Sequence, residues 1–344
     1  MSFRSELFEQ PDVIERLLET QTGTAREIAR VVRQGGVDGI FIAARGSSDN
    51  AALYGKYLWG SVNRLPVALA TPSLFTVYGT PPKLTRSLVI GVSQSGESPD
   101  IVSVVKEGRQ QGALTLAITN EPSSPLASEA QLVLETQAGE EQAVAATKTY
   151  TSQLASIALL SAALAPEPDL FGALESVPGL MREALELDDV IRAAAERYRY
   201  MSQCAVLGRG FNYATAYEWS LKLKEMTYVV AEPYSSADFQ HGPVAIVSDG
   251  FPVLAVVPDG KVFDDLMALL EDLVTEQRAE LIVLSNDDRA LDLARTPIRL
   301  PKAPEWLSPL VAIVPAQLFC GHLTEAKGHD IDNPRRLRKV TRTW

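Results

Sequence analysis

The sequence predicts an α/β protein built from two tandem copies of one domain, each a parallel sheet flanked by helices in the flavodoxin-like manner. Three observations carry this. Strand-like apolar runs alternate with helical patterns along the whole chain, which is the signature of βαβ units. The runs are apolar almost throughout rather than alternating, as in strands covered on both faces. The pattern of the first half then returns in the second at a nearly constant offset.

Taken in order, residues 1–30 read as a helical lead of one or two helices. The first domain is expected over 31–165. Its strands are DGIFIAAR, RSLVIGVS, LTLAIT and QLVLET, each rich in β-formers and ending in polar or turn residues. Helices are expected over 49–60, 99–111 and 147–164. Residues 166–195 open with turn formers and continue as an amphipathic helical linker. The second domain is expected over 196–330, and 331–344 form a basic tail. Arg45-Gly46 aligns with Arg209-Gly210 at an offset of 164, and at that offset Gly96 falls on Gly260. LTLAITN matches LIVLSN with a slip of two, LVLE matches IRLP, and Gln153-Leu154 matches Gln317-Leu318. Chance similarity among generic α/β segments would not keep five landmarks in order.

Bulk properties exclude several classes. The 344 residues suffice for two ordinary domains, and a formal charge of −11 speaks against nucleic acid or an anionic membrane as partner. Two cysteines in apolar contexts, Cys204 and Cys320, do not make a disulfide framework. The opening MSFRSELFEQPDVIERLL has no apolar signal core, so a cytoplasmic location is expected. The longest apolar run, TSQLASIALLSAALA, carries Ser, Thr and Gln and reads as a buried helix rather than a membrane span. Three histidines, His241, His322 and His329, lack ligand-like spacing, so no metal site is expected.

The chemistry is expected at strand tips. In the first copy SLVI runs into SQSGES (93–98); in the second the matching strand ends VPDG, so the fold itself does not require the serines. A loop at the carboxyl end of a parallel strand lies where such sheets bind ligands. Small residues expose main-chain N–H groups, hydroxyls add donors, and a helix starting near Ser98-Pro99 adds partial positive charge. Together these make an anion cradle suited to a phosphate monoester. RGSSDNAA (45–52) repeats the strand, Gly-Ser-Ser, helix order. Each stretch alone also describes an ordinary turn with an N-cap. No GxxxxGK[ST] motif is present, and the second copy lacks the full dinucleotide fingerprint.

Five stretches, GSS (46–48), SQSGES (93–98), EEQAVAATKTYTSQL (140–154), LKLKEMTYVVAEPYSSADFQHGP (221–243) and DNPRRLRKVT (332–341), resemble the sugar isomerase (SIS) family. The likeness covers nearly the whole chain. It is close to the isomerase half of glucosamine-6-phosphate synthases and, through Arg45-Gly46-Ser47-Ser48 and the ending KVTRTW, closer still to stand-alone SIS-type glucosamine-6-phosphate deaminases. Met1-Ser2 lead almost directly into the isomerase-like part, so no glutaminase is expected. The resemblance implies that Ser48, Ser93, Gln94, Ser95 and Ser98 bind a sugar 6-phosphate. It implies that Gly46, Ser47, Val144, Ala145 and Glu141 contact the sugar, with Thr147 and Lys148 opening a helix nearby.

Lys222 and Glu225, three apart on a predicted helix, share a face, and bare K-x-x-E spacing also describes a surface salt bridge. The resemblance makes Glu225 the base for C1/C2 proton transfer, Lys222 the group that steadies the enediol or enolamine oxygen, and His241 the ring-opening acid/base donated by a neighbouring subunit of a homodimer. By the same likeness Lys339 belongs to a tail that closes over the sugar, among Arg335, Arg336, Arg338 and Arg342. Without it, the tail reads as a solvated basic terminus, His241 as a loop residue and Glu141 as an exposed loop carboxylate. The implied reaction converts glucosamine 6-phosphate to fructose 6-phosphate and ammonia with no cofactor. Another phosphosugar aldose–ketose isomerase, a deglycase of fructosamine-type 6-phosphates and a sugar-phosphate-binding regulator remain as alternatives.

Overall fold

The computed structural model describes residues 2–165 and 170–339. The chain forms two compact units, and each has its own parallel five-stranded sheet.

The first sheet lies in the unit made of residues 9–141 and 148–176 with the tail from Arg338. To number the elements in chain order, helix α1 (Phe3–Phe8) belongs to the other unit, and this one begins with α2 (Gln10–Gln34). The chain continues through β1 (Gly39–Ala43), α3 (Ser47–Ser61), β2 (Val67–Leu69), α4 (Ser73–Thr76), β3 (Ser87–Ser93) and α5 (Pro99–Gln110). It goes on through β4 (Leu114–Thr119), α6 (Pro125–Glu129), β5 (Leu132–Glu135), α7 (Lys148–Leu164) and α8 (Leu170–Glu175). The strand order is β2-β1-β3-β4-β5, all pairs parallel. β3 and β4 are buried almost end to end because helices cover both faces. Burial of α7 is complete from Lys148 to Ala163, which explains its lack of a polar face.

The other unit holds α1, residues 142–147 and residues 177–337. Its elements are α9 (Val177–Leu185), α10 (Asp188–Arg197), β6 (Gln203–Gly208), α11 (Tyr213–Lys222), β7 (Val230–Ser235) and α12 (Ser236–Gln240). They continue as β8 (Pro252–Val256), α13 (Phe263–Thr275), β9 (Glu280–Ser285), α14 (Asp288–Leu293), β10 (Thr296–Arg299) and α15 (Ser308–Ala326). The order is β7-β6-β8-β9-β10, again all parallel. Strand for strand this repeats the first sheet, so the sequence repeat is a repeat of fold. α15 is long and apolar enough to cross a membrane by composition, and it is buried in the protein from Ser308 to Thr324.

Several expectations need correction. β2 and β7 were not expected, and they are the edge strands next to β1 and β6. The last strand of the second sheet is Thr296–Arg299, so β5 matches it two residues before IRLP. LKLKEMTY is not one α-helix: α11 ends at Lys222 and a π turn, Leu223–Thr227, follows. Within the expected linker, residues 170–175, 177–185 and 188–195 are helical with turns between them, whereas 166–169 lie outside the described residues, as does Arg342 of the tail.

Candidate active site

In the first unit two loops leave neighbouring strands β1 and β3. The first turns at Gly46, φ +58°, ψ −133°, a conformation open essentially to glycine alone, and Ser47 starts α3. Arg45 Nε donates to Asp100 Oδ2 at 2.7 Å, tying this loop to the first turn of α5 through a fully buried carboxylate. Ser48 Oγ accepts from Gln153 Nε2 at 3.0 Å, so the buried α7 orients that hydroxyl.

The second loop is held more tightly. Ser93 Oγ accepts from the Gly96 N–H at 3.1 Å, and the Gly96 carbonyl accepts from Leu126 N–H at 3.1 Å. The Gln94 carbonyl accepts from Asn120 N–H at 3.2 Å. Gly96 has φ +64°, and a Cβ there would fall 2.1 Å from Ser124 Oγ, the cap of α6. Ser98 occupies the N-cap position of α5 without a side-chain cap bond, and Pro99 follows at the first helical position. The expected order of strand, hydroxyl loop and helix N-terminus is therefore present twice on adjacent strands. Gly96→Ala should destabilise the protein by about 2–4 kcal/mol, from strain at positive φ plus the clash with Ser124. Equilibrium denaturation checks this, and a loss below about 0.5 kcal/mol would contradict the packing described for the loop.

Gln94 and Ser95 open into a cavity of about 480 Å³, which Ser48, Ser93 and Ser98 do not line. Its other walls include Asn120, Glu135, Glu140 and Glu141, so among the described lining residues the charge is negative, and Gln94 and Ser95 are the part of the SQSGES loop that reaches it, with Glu97. Glu141 is buried rather than an exposed loop carboxylate. Its oxygens accept from Thr149 N–H (3.0 Å) and Thr149 Oγ1 (2.7 Å) at the start of α7, and from Lys339 Nζ. The tail lysine is thus ion-paired, not solvated.

The matching turn of the second sheet is closed by its own side chains. Lys261 N–H donates to Glu305 Oε1 at 3.0 Å, and Asp259 N–H donates to Asn286 Oδ1 at 2.8 Å.

In the other unit, α11 and its π turn carry a stack of alternating charge. Glu218 is fully buried, Lys222 Nζ lies 3.4 Å from its Oε1, and Glu225 pairs with the same ammonium from the solvent side. The side chain of Lys222 is 1 % exposed and that of Glu225 is 23 % exposed. Burial alone would pull the Lys222 ammonium down, but the carboxylates of Glu218 and Glu225 outweigh it and raise it above the ordinary lysine value. Lys222 therefore stays charged and cannot be a base near neutral pH. Glu225, the member open to solvent, can meet a solute. The surface salt-bridge reading of K-x-x-E is overturned by this burial. The π turn ends at Tyr228, in the left-handed region at φ +58°. A π turn is a strained element found frequently at functional sites.

His241 is exposed, just after α12 and before Gly242 at φ +136°. The other two histidines have structural contacts: His322 meets Asp188 at 2.7 Å, and His329 packs on the Tyr228 ring at 4.8 Å. In the 142–147 segment Val144 is half-buried and Ala145 buried, and the Glu6 carboxylate of α1 accepts from Gln142 and Ala143 N–H at 2.5 and 3.1 Å. Glu218 and Glu6 were both missed in the sequence. E-x-x-x-K, spanning Glu218 to Lys222, was a usable signal for the first; Glu6 acts on a segment distant in sequence.

The sequence profile of the SIS domain matches residues 37–163 and 201–324, one span for each sheet. The chain belongs to the SIS family. A glutamine–fructose-6-phosphate aminotransferase (isomerizing) from Pyrococcus horikoshii is 36 % identical over 339 residues, covering 97 % of this SIS chain and 56 % of its own length. The chain therefore spans about half the length of such relatives. The C-terminal domain of a glucosamine-fructose-6-phosphate aminotransferase from Francisella tularensis superposes with a TM-score of 0.86 at 28 % identity, covering 96 % of this chain and 98 % of that one. A glucosamine-6-phosphate deaminase from Thermotoga maritima shares the two-domain SIS fold, with a TM-score of 0.77 at 21 % identity over the full length of both chains.

Proposed function

We propose that this SIS protein is a phosphosugar isomerase that deaminates glucosamine 6-phosphate to fructose 6-phosphate and ammonia. The observation that supports this most directly is the Glu218–Lys222–Glu225 stack. It holds one partly exposed carboxylate beside a permanently charged ammonium, the pair needed to move a proton next to a carbonyl.

In this reading Ser48, Ser93, Gln94, Ser95 and Ser98 grip the phosphate, while Gly46, Ser47, Val144 and Ala145 meet the sugar. His241, offered by the other subunit of a homodimer, opens the ring. Glu225 takes the C2 proton and returns it to C1, and Lys222 steadies the oxygen that gains charge. The C2 imine then reacts with water, releasing ammonia and leaving the ketose. Lys339 closes the site, and the observed bond to Glu141 gives that tail an anchor.

A second reading, a deglycase of fructosamine-type 6-phosphates, draws on the acidic cavity beside Ser95. Its volume and its carboxylates would suit a cationic substituent on the sugar nitrogen. Ammonia or amine release from glucosamine 6-phosphate, galactosamine 6-phosphate and fructosamine-type 6-phosphates separates the readings. Ser95→Ala should raise KM for the phosphorylated sugar about tenfold, the worth of one charge-assisted hydrogen bond, with little change in kcat. Unchanged KM would remove Ser95 from the phosphate site.

A further inference from the structure

We propose that Glu6 is a positioning residue for the sugar-binding main chain: its carboxylate sets the 142–147 segment so that Val144 and Ala145 face the sugar. This rests on the sugar-contact role given to Val144 and Ala145 above. Glu6 is fully buried, and among the described residues its carboxylate accepts from main-chain N–H groups. Oε1 accepts from the Gln142 N–H at 2.5 Å and Oε2 from the Ala143 N–H at 3.1 Å. Two consecutive N–H groups converging on one anion form a concave anion seat, and here the protein supplies the anion itself.

The arm that carries Glu6 is fixed. Helix α1 packs on α15. Phe3 N–H donates to Asp332 Oδ1 at 2.8 Å, and Arg4 pairs with Asp188 of α10. A carboxylate buried without a cation is costly unless its oxygens are satisfied, so the two amides and Glu6 hold each other in place. An apolar residue would fill the same space more cheaply but would take away the carboxylate oxygens to which both N–H groups donate. The arrangement thus serves the geometry of the segment rather than burial of α1.

The test uses the full chain. Hydrogen exchange should show the Gln142 and Ala143 amides of the wild type strongly protected; if they exchange as in an unfolded peptide, the clamp does not exist. Glu6→Gln keeps the shape but turns one acceptor into a donor. It should speed exchange at these amides at least about tenfold and weaken fructose 6-phosphate binding about 10- to 100-fold. Inorganic phosphate, which needs only the serine loops, should bind as in the wild type. Glu6→Asp, which keeps both acceptor oxygens on a shorter arm, should recover part of the loss. If Glu6→Gln loosens the amides yet binds fructose 6-phosphate as the wild type does, the proposal is wrong. It is equally wrong if the wild type does not bind fructose 6-phosphate. A wild type that binds it but releases no ammonia from any amino-sugar phosphate would overturn the deaminase reading alone. Should Glu6→Gln not fold, the wild-type exchange and Glu6→Asp still decide.

Discussion

Glu225→Gln should reduce ammonia release from glucosamine 6-phosphate by about 10²- to 10⁴-fold, the usual worth of a positioned general base. The amide fills the same volume and can still accept from Lys222, but it cannot take a proton from carbon. The ammonium keeps Glu218 as its charge partner, so the fold should lose no more than about 1–2 kcal/mol. KM should change little, because Glu225 is given no part in holding the phosphate. Turnover within about tenfold of the wild type would move the base elsewhere.

Lys222→Met should be the most damaging single change to stability, costing about 3–5 kcal/mol. Methionine matches the lysine stem, so the loss is not one of packing. It comes from Glu218, which is fully buried and would lose the cation 3.4 Å away. Neutralising that carboxylate as well should restore much of the loss: Lys222→Met/Glu218→Gln is expected to unfold at a denaturant concentration much nearer the wild type than the single variant. Activity should not return, because the charge beside Glu225 is still missing. If the single variant were as stable as the wild type, Glu218 would not need its partner as described.

The fold was largely legible. Apolar runs closed by turn residues marked eight of the ten strands, directly or through the repeat. β2 is three half-exposed residues, too short to show a period. β7 reads VAEPYS, with Pro233 inside it and no period-two alternation, which argues against a strand unless the edge position is known. The serine loops were legible because their chemistry is local: hydroxyls, glycines and a helix start lie within six residues. The burial of Lys222 was not. LKLKE has the look of a solvated face, and only the tertiary packing of α11 on α15 removes it from water. The 136-residue separation of Glu6 from Gln142 leaves no local pattern at all. Glu141 is expected from the resemblance to contact the sugar, with an exposed loop carboxylate as the alternative; its capping of Thr149 spans eight positions, beyond any capping-box spacing, and so left no local signal.

Duplication produced two turns of one design, and they have met different ends. The turn after β8 has its amides answered by Glu305 and Asn286, permanent residents of the same chain. The turn after β3 keeps its serines. In the proposed function the holding of an anion therefore falls to the turn after β3, while the turn after β8 commits two of its amides to side chains of the chain itself.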